Sequence, residues 1–349
     1  MKLFLFYLLF VLGLLINIGL PQVEAKQTLR IGHFPNLTHP QGVAGHAFTR
    51  NGDGWFEKWL GPEIVLEWFI FKAGPSAIEA LVAGSIDLVY IGPTPAINAY
   101  AKTKGSEVRV IAGACNGGAA LVVRIGSNIR NDADFKGKKL ATPQLGNTQD
   151  VSARLWLKNK GYQVGTHGGD VHVIPTANAD QLSLFVQKGL DAAWTVEPWV
   201  TRLEMQAEGK IYLEEKQLWP QTEGKYATTL LVTNVEMLQK RSLLLKKWLK
   251  GHIALTEWLR KHPTEAKKLV NDEIQKETHL ALPQGILDRA WERIEISWDP
   301  VTVSISYFAN GLFESGLVRE KPSISSLIQL NLLNEVLREE GFAGVTSYE

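Results

Sequence analysis

The sequence predicts a two-lobed α/β protein, each lobe a mostly parallel sheet flanked by helices, with a ligand cleft between the lobes. Three observations carry that expectation. Short β-branched runs alternate with helical stretches along most of the chain, the pattern of a doubly wound sheet. The 349 residues are too many for one ordinary core and suit two. Polar, helix-starting turns follow three of the strand-like runs, at the place where open α/β sheets bind ligands.

The chain begins with Lys2, an apolar run to about Leu20, and Val23-Glu24-Ala25 as a small-x-small cleavage site. That pattern reads as a secretory signal peptide over residues 1–25, with an uncleaved anchor as the alternative. No later segment approaches the roughly 20 apolar residues of a membrane span. An exported, periplasmic protein is therefore expected. Lys and Arg number 37 against 36 Asp and Glu, so no nucleic-acid footprint or polybasic membrane surface is present. Cys115 is the single cysteine, which excludes an internal disulfide and a Cys-rich metal site. No metal ligands and no cofactor are expected.

The elements follow in order. "TLRIGHF" is a first strand, and Thr38 and Pro40 open the helix after it. "EIVLEWFIF" is a second strand, and a helix from about Ser76 leads to a strand from about Asp87. "PTPAINAYAKTKG" is a helix, and "VRVIAGAC" a further strand. "AALVVRIG", "KKLATP", "DVHVIPT" and "LDAAWTVEP" read as strands, with helices from Thr148, through "NADQLSLFVQKG" and through "WVTRLEMQAEGK". "YATTLLVTN" is a returning strand, followed by long helices broken at Pro263. Similar units on either side of residue 120 predict one lobe from 26–118 plus 219–349 and a second from 119–218, with the chain crossing twice.

Three turns carry the candidate site: Asn36-Leu37-Thr38-His39, Gly92-Pro93-Thr94-Pro95 and Gly146-Asn147-Thr148-Gln149. Each by itself is an ordinary helix cap. A helix start also presents unpaired N–H groups and a partial positive charge, which suits an oxyanion. Two of the turns fall in one lobe and the third in the other, so facing lobes would surround one small molecule. Pro93 and Pro95 remove donors and fix the backbone, aiming those that remain. Trp194 is a candidate pocket wall and Glu197 a partner for an ammonium group, against the plainer readings of a core indole and a helix cap. Asn116 lies in "ACNGG", read as the lobe crossover, and His39 could carry a positive charge beside an anion.

"GPSAIEALVAGSIDLVYIGPTPAINAY", "ATPQLGNTQDVSARLWLKNKGY", "ANADQLSLFVQKGLDAAWTVEPWV" and "SWDPVTVSISYFANGLFESG" together resemble one family. It is the aliphatic-sulfonate, taurine and nitrate group of substrate-binding proteins of ABC importers. The resemblance implies a periplasmic binding protein-like fold whose lobes close on a small ligand and dock on a membrane permease and its ATPase. A monomer that is not an enzyme is expected. The resemblance makes Asn36, Thr38, His39, Thr94, Pro95, Asn147, Thr148, Trp194 and Glu197 cleft candidates, to which the third turn adds Gly146 and the crossover Asn116. An aliphatic sulfonate or taurine is the expected ligand, with nitrate, bicarbonate or a thiamine-precursor pyrimidine as alternatives. A thiol-dependent desulfinase is the enzymatic alternative, and it would need Cys115 as nucleophile with a nearby base.

Overall fold

The computed structural model describes residues 26–346 apart from 73, 166 and 167. The export-signal reading of residues 1–25 lies outside the described residues.

The first third of the chain lays down β1 (Gln27–His33), α1 (Pro40–Asn51), α2 (Glu57–Leu60), β2 (Ile64–Ile70), α3 (Gly74–Val82), β3 (Leu88–Ile91), α4 (Pro93–Lys102) and β4 (Val108–Gly117). It then builds β5 (Ala119–Arg124), β6 (Lys139–Thr142), α5 (Thr148–Asn159), β7 (His172–Pro175), α6 (Asn178–Val186), β8 (Ala192–Val196), α7 (Trp199–Gln206) and β9 (Gly209–Glu214). The chain returns through β10 (Ala227–Asn234), α8 (Val235–Lys240), α9 (Ser242–Lys261), α10 (Pro263–Thr278), α11 (Gln284–Trp291), β11 (Ile294–Ile296), α12 (Thr302–Glu314) and α13 (Asn331–Glu339).

Two sheets result, in the orders β11-β4-β10-β3-β1-β2 and β7-β6-β8-β5-β9. They are mixed rather than mostly parallel. β1 pairs parallel with β2 and β3, and β6 parallel with β7 and β8, as βαβ crossovers require. The departures come where the chain changes sheet. β5 enters the second sheet antiparallel to both β8 and β9, while β10 returns antiparallel between β3 and β4. The crossing from β4 to β5 is made by Gly117 and Gly118 at φ +76° and +80°, a left-handed backbone that glycine adopts without strain.

Hydrophobic spacing accounts for the long helices. α9 buries Leu245, Trp248, Leu249, Ile253, Leu255 and Leu259, and Pro263 then opens α10 where its missing N–H costs nothing. The first core centres on the Trp248 indole, stacked on Phe56 at 3.8 Å. The second sheet has its own core around Leu121, Phe135, Trp156 and Trp194. A further cluster joins the two units: Val151 and Leu155 of α5 pack with Ile305, Phe308 and Leu312 of α12.

Candidate functional site

The starts of α4 and α5 meet across the two sheets. α4 has Gly92 as its extended N-cap and prolines at 93 and 95, so Thr94 holds the one backbone N–H among its first three residues. The Thr94 hydroxyl donates to the Gly146 carbonyl at 3.1 Å and lies 3.4 Å from the Thr148 hydroxyl. Gly92 completes the approach, since a Cβ there would stand 3.0 Å from Thr148 Oγ1. Pro95, Gly146 and Asn147 also line a largely apolar groove of about 360 Å³ between the units, together with Ile78, Val82 and Leu145.

At the start of α5 most polar groups already have partners. Asn147 Oδ1 accepts the Asp150 N–H at 2.8 Å, and the Asn147 N–H goes to the Gln144 carbonyl. The Asp150 carboxylate accepts from Thr142 Oγ1 at 2.7 Å, the Gly146 N–H at 2.9 Å and Arg154 Nε at 2.8 Å. This helix end thus carries its own anion, neutralised by Arg154. Of its first-turn donors, the Thr148 and Gln149 N–H groups have no intrahelical acceptor.

The turn after β1 is organised by Asn36, whose Oδ1 accepts the Thr38 N–H at 3.1 Å and the Thr38 hydroxyl at 3.3 Å. No hydrogen bond among the described residues joins this turn to Thr94 or Thr148. His39 caps α1 with its ring 4.9 Å from Phe34, and its Nδ1 is buried without a partner. Burial pushes its pKa down to about 3, His33 adds to the fall, and a hydrogen bond to the Tyr90 backbone opposes it. Burial therefore disfavours the positive charge that the sequence offered for His39 beside an anion.

Asn116 ends β4 at the crossover, 2% exposed and with Oδ1 lacking a partner. Glu197 is wholly buried and engaged: its carboxylate accepts the Thr201 hydroxyl at 2.9 Å and the Thr201 N–H at 3.1 Å. Arg293, from the first unit, places Nε 2.6 Å from Glu197 and donates from Nη2 to Glu214 at 2.6 Å. Burial raises the Glu197 pKa to about 7 against the pull of Arg293 and Thr201. Its carboxylate is part of the crossover between the units. Trp194 lies in the core of the second unit, donating from Nε1 to Glu215 at 2.6 Å, so the indole has no free face for a pocket wall.

Sequence reasoning passed over three residues. Gln41, fully buried, donates to the Ala114 carbonyl at 2.8 Å and leaves Oε1 without a partner. Thr228 donates from Oγ1 to the Gly117 carbonyl at 2.5 Å, and its own carbonyl would lie 3.7 Å from a Cβ at Gly92. Arg293 ties the two units together. Gln41 sits in the first turn of α1, just past the cap residues that were marked, while Thr228 and Arg293 lie away from any helix start. Cys115 is fully buried in β4, and burial, with Glu295 adding, pushes its thiol pKa well up. Such a thiol is an inert core group and not a nucleophile.

Two α/β units, each built on its own sheet and with helix starts meeting across the seam, define a two-lobed fold. The profile of the NMT1-like family matches residues 22–272, and the chain belongs to that family. It is 26% identical over 178 residues to the taurine-binding periplasmic protein of Escherichia coli, covering 51% of this chain and 52% of that protein. It is 30% identical over 144 residues to a Brucella abortus protein named as a binding protein, covering 41% of this chain and 42% of the relative. The chain thus spans about half the length, or somewhat less, of the curated relatives it matches. Among solved structures, the periplasmic aliphatic sulphonate binding protein of Escherichia coli superposes with a TM-score of 0.68 at 21% identity, over 88% of this chain and 98% of that one. The periplasmic nitrate-binding protein of Synechocystis PCC 6803 gives a TM-score of 0.72 at 16% identity, over 91% and 90%. At these identities the likeness establishes the fold.

Proposed function

We propose that this chain is the exported solute-binding component of an ABC importer, capturing a small oxyanion-bearing solute and handing it to a membrane permease. The solute class is an aliphatic sulfonate or taurine. Residues 26–118 plus 219–349 form one lobe and 119–218 the other, closing about the glycine crossover at 117–118. The observation that carries this reading is the meeting of Thr94 with Gly146 and Thr148, two helix starts from opposite sheets. Open N–H groups at Thr94, Thr148 and Gln149 and the Thr148 hydroxyl beside them are donors suited to sulfonate oxygens, as is the Thr94 hydroxyl once it leaves the Gly146 carbonyl. The buried, unpartnered atoms of His39, Gln41 and Asn116 are further polar groups on the first lobe that a bound solute would satisfy. A neutral His39 acts there as a hydrogen-bonding group. Closure follows from contacts to both lobes that the open form lacks.

A thermal-shift panel on residues 26–349 tests this reading with taurine, short alkanesulfonates, nitrate, bicarbonate and a pyrimidine. A binder at a hundredfold excess over its Kd stabilises the folded chain by about 2.7 kcal/mol. The expected outcome is a rise in melting temperature with taurine or an alkanesulfonate. A response confined to the neutral pyrimidine would refute the oxyanion reading and leave a solute-binding role.

A further inference from the structure

Behind the first turn, three side chains with metal-ligating atoms converge from three separate elements. His33 ends β1, His46 sits on the second turn of α1, and Glu277 lies on the last turn of α10. His33 Nε2 is 3.0 Å from His46 Nδ1. Glu277 Oε1 is 2.7 Å from His46 Nδ1 and 3.2 Å from His33 Nε2. Ligands bound at about 2.0–2.1 Å around a tetrahedral zinc ion stand roughly 3.3 Å apart, so this triangle needs to widen by about 0.6 Å on its Glu277–His46 side and less on the other two. The side chains of His33 and Glu277 are fully buried, while His46 is 12% exposed and gives an ion a way in.

The surrounding hydrogen bonds point to an ion as the occupant. His33 Nδ1 lies 3.4 Å from the Phe34 carbonyl, and an N–H there turns the lone pair of Nε2 toward Glu277. A backbone carbonyl on the far ring nitrogen is the usual second partner of a metal-bound histidine. Arg50 Nη2 lies 3.0 Å from His46 Nε2, which leaves the His46 proton on Nδ1. That single proton then has to serve both Glu277 Oε1 and the lone pair of His33. Glu277 Oε2 and Glu273 Oε2 stay buried without hydrogen-bond partners. A dication on His46 Nδ1, with the imidazole proton moved to Nε2 and Arg50 turned away from it, satisfies all three ligand atoms at once. Trp68 stacks on His46 at 5.5 Å and meets His33 edge-on at 5.7 Å, fixing both rings. The neighbouring cations have room to turn away: Arg50 and Lys276, both paired with Glu273, are 41% and 45% exposed.

We propose that His33, His46 and Glu277 bind one divalent transition-metal ion of the zinc class, with solvent completing a four-coordinate shell. Two imidazoles and one carboxylate favour zinc, cobalt or nickel over magnesium and calcium. The ion would pin the end of β1 to α1 and α10, and so brace the turn that carries Asn36, Thr38 and His39.

The test is titration of zinc into chelator-stripped residues 26–349, followed by calorimetry and native mass spectrometry, with cobalt as a spectroscopic probe. One ion per chain, a zinc-dependent rise in melting temperature and the intense visible absorption of four-coordinate cobalt are expected. His46→Gln and Glu277→Gln should each weaken zinc at least tenfold, and His172→Gln, on an exposed strand, should leave it unchanged. Glu277→Gln keeps the side-chain shape, so it carries the test if His46→Gln misfolds. Zinc binding that survives both variants, or equal stabilisation by magnesium, would overturn the assignment.

Discussion

Glu215 is a carboxylate 1% exposed, held by Ser152 Oγ and Trp194 Nε1, each at 2.6 Å. Burial raises its pKa from 4.5 to about 7 against those two hydrogen bonds. The folded chain therefore holds this proton more tightly than the unfolded chain. The stability it supplies is full below about 4.5 and is lost as pH rises through about 7. His39 and His252, lowered to about 3 and about 4, run the other way and lose stability as pH falls below 6.5. Glu215→Gln keeps the shape, and the Ser152 hydroxyl can turn to accept from the new amide. Urea unfolding at pH 5 and pH 7 should show the variant gaining on the parent as pH rises, by about 2 kcal/mol. An unchanged difference between the two pH values would contradict the assignment. The residue scale is also where sequence reading was weakest. Trp194 lies within β8 and Glu197 just after it, yet their partners Glu215 and Arg293 are remote in sequence, so neither engagement was visible. His33, His46 and Glu277 are hidden for the same reason.

At the scale of elements, capping chemistry was legible. Asn147 was read as a helix start and does cap α5, and Pro263 divides the long helices where its ring predicts. Two strands were missed. "GKIYLE" is half-buried along its length, and only its Gly209-Lys210 start was read, as the end of the preceding helix; "IEI" is too short to show a period. The α4–α5 seam yields a prediction of its own. Gly92 has φ −64°, which alanine adopts freely, so Gly92→Ala carries no backbone strain. Its Cβ would reach 3.0 Å from Thr148 Oγ1 and hold the two helix starts apart. Solute affinity should fall at least tenfold in a competition assay while the unfolding midpoint stays near that of the parent. Affinity equal to the parent's would show that the seam does not tighten on binding.

For the whole molecule, the alternation of strands and helices was enough to expect two α/β units. Strand direction was not legible, because pairing depends on where the chain changes sheet and not on local pattern. β10 reads as one more strand in sequence, but in space it runs antiparallel between β3 and β4. The two units meet at the glycine crossover, through the Arg293 bridges to Glu197 and Glu214, and along the α5–α12 contact. Solute bound where α4 and α5 start would draw on both.

The most direct test is calorimetric titration of taurine and a short alkanesulfonate into residues 26–349 and into a Thr94→Val, Thr148→Val double variant. That pair removes two hydroxyls at nearly constant volume and leaves the Asn147 cap alone. One sulfonate per chain in the parent, with at least tenfold weaker binding in the variant (about 1.4 kcal/mol), is the predicted result. A folded variant that binds as tightly as the parent, or a parent that binds neither sulfonate, would contradict it.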